Sequence, residues 1–152
     1  MKIEDEIQSA FDNDLQKLIV NIYLTHSRIS EPFQQLLGKF DITPTQYNVL
    51  RILRGQKQNP ASIGLIKERM IERNSDVSRI IDRLLKKDLI SRKKNKQDKR
   101  QKDVIISDSG LNLLATIENY QEENAFYSIN LTNDEVTLMN NLLDKLRASI
   151  KQ

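Results

Sequence analysis

Along most of this chain apolar residues recur at steps of three and four, the spacing that lines one face of an α-helix. Ile7, Phe11, Leu15, Leu18 and Ile22, with Ile19 alongside, form one such stripe and predict a first helix over about residues 5–28. Ser30 followed by Glu31-Pro32 predicts the start of a short second helix, since a proline in the first turn loses no bond the helix would make, and Gly38 closes it. In "DITPTQYNVLRILRG" Thr43 is placed to cap, Pro44 takes the first helical position and Gln46 completes a capping box. Tyr47, Leu50 and Leu53 give that helix its buried stripe, with Val49 and Ile52 broadening it, and Gly55 is suited to the left-handed turn that ends a helix.

After the polar loop "QKQNP" a shorter helix is predicted over about 62–70, burying Ile63, Ile66 and Met70 despite Gly64 inside it. Asn74 or Ser75 is expected to cap the next helix, "SDVSRIIDRLLKK", with Val77, Ile80, Ile81 and Leu84 turned inward. Its outer face presents Ser75, Asp76, Ser78, Arg79, Asp82 and Arg83. The rhythm then changes: "LISRK" and "DVIIS" are short β-like runs flanking a polar stretch, which predicts a β-hairpin with a charged tip. Two helices close the chain, at about 108–127 with Leu111, Leu114, Ile117 and Tyr120 inward, and at about 132–150 behind a Thr132/Glu135 capping box. The last carries a stripe of Val136, Met139, Leu142, Leu143, Leu146 and Ile150. The terminal helices hold more apolar surface than a lone pair of helices needs, so they are expected to pack against a second subunit.

Composition narrows the chemistry. The 152 residues include no cysteine, which removes disulfides, thiolate metal sites and cysteine nucleophiles. The single histidine, His26, has no metal-ligand partner at a recognised spacing, and no glycine-rich phosphate loop is present, so neither an enzyme nor a cofactor is expected. The acidic start "MKIEDEIQSAFDND" is unlike a signal peptide, and no long apolar run occurs, which together imply a cytoplasmic protein with no membrane span.

Charge is distributed unevenly. Residues 86–102 hold nine Lys or Arg and two Asp, a balance of +7, so the remainder is −4 within a net charge of +3. Such an island points to a polyanion contact, most naturally nucleic acid. The order helix, short helix, polar-faced helix, hairpin describes a winged helix-turn-helix in a mainly α (α+β) fold. Ser75, Asp76, Ser78 and Arg79 would then face bases or phosphates in the major groove. A competing reading is a helical interaction protein whose basic hairpin binds RNA or an acidic protein partner.

With these elements placed, the chain resembles the MarR family of bacterial transcription regulators. The resemblance is carried by "ITPTQYNVL" at 42–50, "SDVSRIIDRLLKKDLISR" at 75–92, "DKR" at 98–100 and "ISDSG" at 106–110. It implies a winged helix-turn-helix lobe over 31–107, and a dimerisation region from 1–30 and 108–152. By that resemblance Arg100 enters the minor groove and Asp98 holds it, while Lys96, Lys99 and Lys102 are read as phosphate contacts. It also implies a homodimeric repressor on a near-palindromic double-stranded DNA site, released by a small-molecule effector, often an anionic aromatic. Tyr23, His26 and Tyr47 are the candidates to line an effector cleft. Two departures stand out: Asp88 replaces the family's usual glycine before the wing, where a left-handed turn is still open because aspartate tolerates that conformation better than most residues, and Ser107 replaces a threonine but keeps a hydroxyl cap for the next helix.

Overall fold

The computed structural model describes residues 2–72, 74–94 and 102–150, apart from the side chains of Lys94 and Lys102. Its elements are α1 (Ile3–Ile7), α2 (Asp14–Gly38), α3 (Pro44–Gly55), α4 (Ile63–Arg69), α5 (Val77–Lys86), β1 (Ile90–Lys94), β2 (Lys102–Ile106), α6 (Asp108–Glu123) and α7 (Asn133–Ser149). Contacts divide the chain between Ile117 and Glu118 into two compact units. Among the described residues, no helix is long and apolar enough to cross a membrane, and no group of three or more acidic or histidine side chains is placed to hold a metal.

The first unit is built around Leu37, Leu50, Leu53, Ile66, Leu84 and Leu114, all fully buried, which α2 to α6 contribute. Local chemistry explains most of the helix starts. The Thr43/Gln46 capping box is formed in both directions, with Gln46 N–H donating to Thr43 Oγ1 (3.2 Å) and Thr43 N–H to Gln46 Oε1 (3.0 Å). Ser62 opens α4 by accepting from Leu65 N–H (3.1 Å). In the second unit Thr132 N–H donates to Glu135 Oε2 (2.8 Å) and completes the other predicted box. That bond and the Thr132 hydroxyl hold the Glu135 carboxyl below its ordinary value, so its stabilising share is present near neutrality and lost as pH falls through the lowered pKa.

Several readings need correction. The predicted helix over 5–28 is interrupted: Gln8 turns left-handed (φ 52°), and Asn13 then caps a new helix by accepting from Gln16 N–H (2.9 Å). That helix runs through Pro32 to Gly38, so there is no separate second helix. An interior proline forfeits a backbone bond and costs about 3 kcal/mol, and here the helix carries on beyond it to bury Leu36 and Leu37. Ile63 is 38% exposed, leaving Ile66 and Met70 as the buried residues of the α4 region. The last turn of α6 stops at Glu123, where Ala125 (φ 45°) breaks the helix before 127.

A further correction concerns how helices stop. None of the described glycines has a positive φ; after Gly55 it is Lys57 and Gln58 that turn left-handed. Asp41 (φ 55°) ends α2 with Ile42 N–H on the Leu37 carbonyl (3.2 Å) and its own N–H on that of Gly38 (3.1 Å). Asp88 (φ 55°) ends α5 identically, with Leu89 N–H on Leu84 (3.1 Å) and Asp88 N–H on Leu85 (3.1 Å). Both are Schellman turns in which aspartate stands where glycine is usual, a residue that tolerates this conformation better than most. Lys87 joins the two turns, its ammonium donating to the Asp41 carboxylate (2.6 Å) and to the Asp41 carbonyl.

β1 and β2 form the predicted antiparallel hairpin, with Ile90 opposite Ile106 and Arg92 opposite Val104. A third segment joins it: Ala61 and Val104 exchange both backbone bonds, Ala61 N–H to Val104 (2.8 Å) and back (2.9 Å). This bridge anchors the hairpin to the entry of α4. Within α4, a Cβ added at Gly64 would meet only Ser62 Oγ at 3.7 Å. Gly64→Ala is therefore expected to stabilise the protein by about 1 kcal/mol. A urea midpoint that stays put or falls would mean that the glycine is needed there.

Candidate nucleic-acid interface

The centre of the site is α5. Val77, Ile81 and Leu84 fix its inner face in the core, which leaves Ser78, Arg79, Asp82 and Arg83 exposed on the other side. Its N-cap is Asp76, whose Oδ1 accepts from Arg79 N–H (3.1 Å), in place of the expected Asn74 or Ser75. The Asp76 carboxylate is thus engaged with its own helix. Ser75 is half-buried, and its hydroxyl donates to Glu72 Oε2 (3.4 Å). Of the four major-groove candidates, Ser78 and Arg79 are the ones exposed without such a local side-chain bond described.

The hairpin is attached to α5 at two places. Arg92 on β1 donates to Asp82 Oδ1 (2.9 Å), an exposed pair whose value lies in orientation more than in energy. At the base, Ser107 N–H donates to the Leu89 carbonyl (3.1 Å) and Ser107 Oγ to the Asp88 carbonyl (2.7 Å). The same Oγ accepts from Gly110 N–H (3.1 Å), so the hydroxyl cap expected of Ser107 is present and also clasps the turn after α5. Gly110 completes the joint: a Cβ there would lie 2.3 Å from the Leu89 carbonyl oxygen and 2.8 Å from Ile106 Cγ1. The turn between α4 and α5 is tied to α3, where Asn48 Oδ1 accepts from Ile71 N–H (3.1 Å).

Lys93 is exposed on β1. The wing-tip candidates Lys96, Asp98, Lys99 and Arg100 lie outside the described residues, as does the side chain of Lys102. The three effector candidates do not enclose a common space in this chain. Tyr23 is 72% exposed and His26 is exposed one turn later, with His26 Nε2 hydrogen-bonded to Ser30 Oγ (3.1 Å). Tyr47 is 7% exposed, stacked edge-on against Phe33 with ring centroids 5.3 Å apart. Core packing is what Tyr47 does here. An open cleft of about 540 Å³ lies in the second unit at the end of α6, where Glu118, Glu122, Phe126 and Tyr127 are among its walls.

Sequence reasoning missed Asp82, Arg92, Asn48, Ala61 and Gly110. Their partners stand 10 to 43 positions away in the chain, although the place of Gly110 in a helix's first turn was a visible irregularity. A buried-backed helix with a polar N-terminal face, held against two other helices and clasped at once to an antiparallel hairpin, is a winged helix-turn-helix, the architecture of a DNA-binding protein. Residues 42–102 match the MarR family model, and the chain belongs to the MarR family, as a transcriptional regulator with a DNA-binding winged-helix fold and not an enzyme.

The HTH-type transcriptional repressor MdtR of Bacillus subtilis is 32% identical over 110 residues, covering 72% of this chain and 65% of that protein. A mutant MarR from E. coli, solved in complex with operator DNA, is 25% identical with a TM-score of 0.76, covering 91% of this chain and 99% of that one. BpsR of Bordetella bronchiseptica, whose DNA binding is described as regulated by 6-hydroxynicotinic acid, is 23% identical with a TM-score of 0.68, covering 89% and 99%.

Proposed function

We propose that this chain is a homodimeric, ligand-responsive transcriptional repressor that acts in the cytoplasm on a near-palindromic duplex. The observation that carries the DNA reading is the exposed pair Ser78 and Arg79 at the start of a helix whose opposite face is locked in the core. Arg79 can pair with guanine, and Ser78 with either a base edge or a phosphate. Asp76 serves as the cap that orients the helix, and Asp82 with Arg92 sets the angle of the wing. At the tip, Arg100 takes the minor groove supported by Asp98, and Lys96, Lys99 and Lys102 take phosphates. A repressor role follows the likeness to MdtR, and DNA binding as such follows the E. coli neighbour.

Two surfaces support the dimer. On α2, Leu15, Leu18, Ile19 and Tyr23 are exposed; on α7, no residue is buried, and Val136, Leu138, Met139 and Leu142 are exposed. Apolar faces of this extent mark an interaction site. A two-fold partner would cover them and impose its symmetry on the DNA. For the effector, an aromatic anion is the class suggested by the BpsR likeness, with Tyr23 and His26 as the residues to substitute.

The DNA reading is tested by comparing Arg79→Ala with Arg100→Ala on selected duplexes. Arg79→Ala should cost about 1–3 kcal/mol and relax preference at one major-groove position, while Arg100→Ala should weaken binding chiefly where the flanks are A·T-rich. Equal loss on every sequence from both changes would reduce these residues to phosphate contacts.

A further inference from the structure

Most exposed large apolar side chains of the described residues lie along α1, α2, α7 or the segment before α7. Ile71 does not: it stands in the turn between α4 and α5, and at 85% it is the most exposed of them all. Its backbone is nonetheless fixed. The preceding Met70 is buried, and the Ile71 N–H is held by Asn48 Oδ1 at 3.1 Å from a different helix. A β-branched side chain has few χ1 choices, so a pinned backbone presents this one in a narrow range of directions. The residues that flank it in the chain are polar or charged, Lys67 and Arg69 before it and Glu72, Asn74 and Ser75 after it, and the α5 helix that follows carries Arg79 and Arg83 on its exposed face.

An isolated, oriented apolar knob between cationic helices fits one feature of duplex DNA. The thymine C5-methyl is the apolar group that the major groove displays, and contact with it separates T from C without a hydrogen bond. We propose that Ile71 is a specificity-determining residue that packs on a thymine methyl in each half-site. This rests on the proposed docking of α5 in the major groove, and it adds an apolar contact to the polar readout by Ser78 and Arg79. The fixed N–H explains why an exposed isoleucine serves here: the Asn48 bond holds the backbone in place while the whole side chain remains free to be covered by the base.

Duplexes selected from a random pool by the wild type and by Ile71→Ser give the test. Because the side chain buries almost nothing, Ile71→Ser should keep the wild-type circular dichroism and melting temperature. The wild-type motif should hold one thymine per half-site that the Ile71→Ser motif lacks. Replacing that thymine by deoxyuridine, which removes only the methyl, should weaken wild-type binding about fourfold per half-site and leave Ile71→Ser unchanged. Identical motifs, equal sensitivity of both proteins to deoxyuridine, or uniform loss by Ile71→Ser on all duplexes would overturn the proposal. A wild-type protein that enriches no motif at all overturns the DNA reading itself, and this inference with it.

Discussion

Gly110→Ala should cost about 3 kcal/mol of stability, as an overpacked site with no room to give. The added methyl would sit 2.3 Å from the Leu89 carbonyl oxygen, and backbone cannot swing aside as a long side chain can. That carbonyl also accepts from Ser107 N–H, and Ser107 Oγ clasps the Asp88 carbonyl, so retreat of the Leu89 strand entry would loosen every bond at the base of the wing. Ile106 Cγ1 at 2.8 Å closes the other side. The expected reading is a melting temperature lower by roughly 6–12 °C, given about 2–4 °C per kcal/mol for a chain of this size. DNA affinity should fall beyond the unfolded fraction, because the wing shifts relative to α5. A loss below about 1 kcal/mol would show that α6 does not approach the hairpin as closely as described.

Leu142→Glu should have the larger effect on binding. Leu142 is 58% exposed on α7, a helix with no buried residue, so the substitution should leave the fold of the monomer intact. In a dimer the same carboxylate would be buried without a partner, at a cost of several kcal/mol. The second half-site contact then ceases to be intramolecular, and affinity for a two-half-site duplex should fall by roughly 10²- to 10⁴-fold. Sedimentation should show a monomer with unchanged helical content. A Leu142→Glu protein that sediments as a dimer and binds DNA like the wild type would remove α7 from the interface.

What was legible in the sequence was local. The boxes at Thr43/Gln46 and Thr132/Glu135 span three residues each, and the hairpin is announced by two apolar runs around a polar turn, so no tertiary information was needed. Where neighbours compete, the residue types alone could not decide. Asn74, Ser75 and Asp76 can all cap, and it is Asp76 whose Oδ1 accepts from Arg79 N–H. A left-handed turn was open to Asp88 and is found there; the one sought at Gly55 is not, and others stand at Asp41 and Ala125, because the hydrogen bonds of the helix ends, each closed by an apolar residue that follows, outweigh the mild backbone preference. Asp88 shows the gain from reading chemistry over identity. The glycine of the family is missing there, yet the aspartate takes the required conformation and the wing base forms.

For the candidate site, α5 and its Ser78 and Arg79 were legible, because an amphipathic helix declares its outer face. The clasp that aims the wing was not. Arg92 meets Asp82, and Gly110 meets Leu89, across folds of the chain that periodicity does not report. Tyr47 shows what periodicity leaves open: an aromatic residue at helical spacing suits a ligand cleft or a core, and in this chain it lies buried against Phe33.

The most direct test of a symmetric, sequence-reading dimer is to bind the wild-type protein to a pool of random duplexes at about 0.15 M salt, where non-specific phosphate contacts are screened, and to sequence what is retained. The expected result is an inverted repeat whose half-sites are centred about one helical turn apart, or a multiple of it. Retention without enrichment, or enrichment of a single half-site with no symmetric mate, would contradict it.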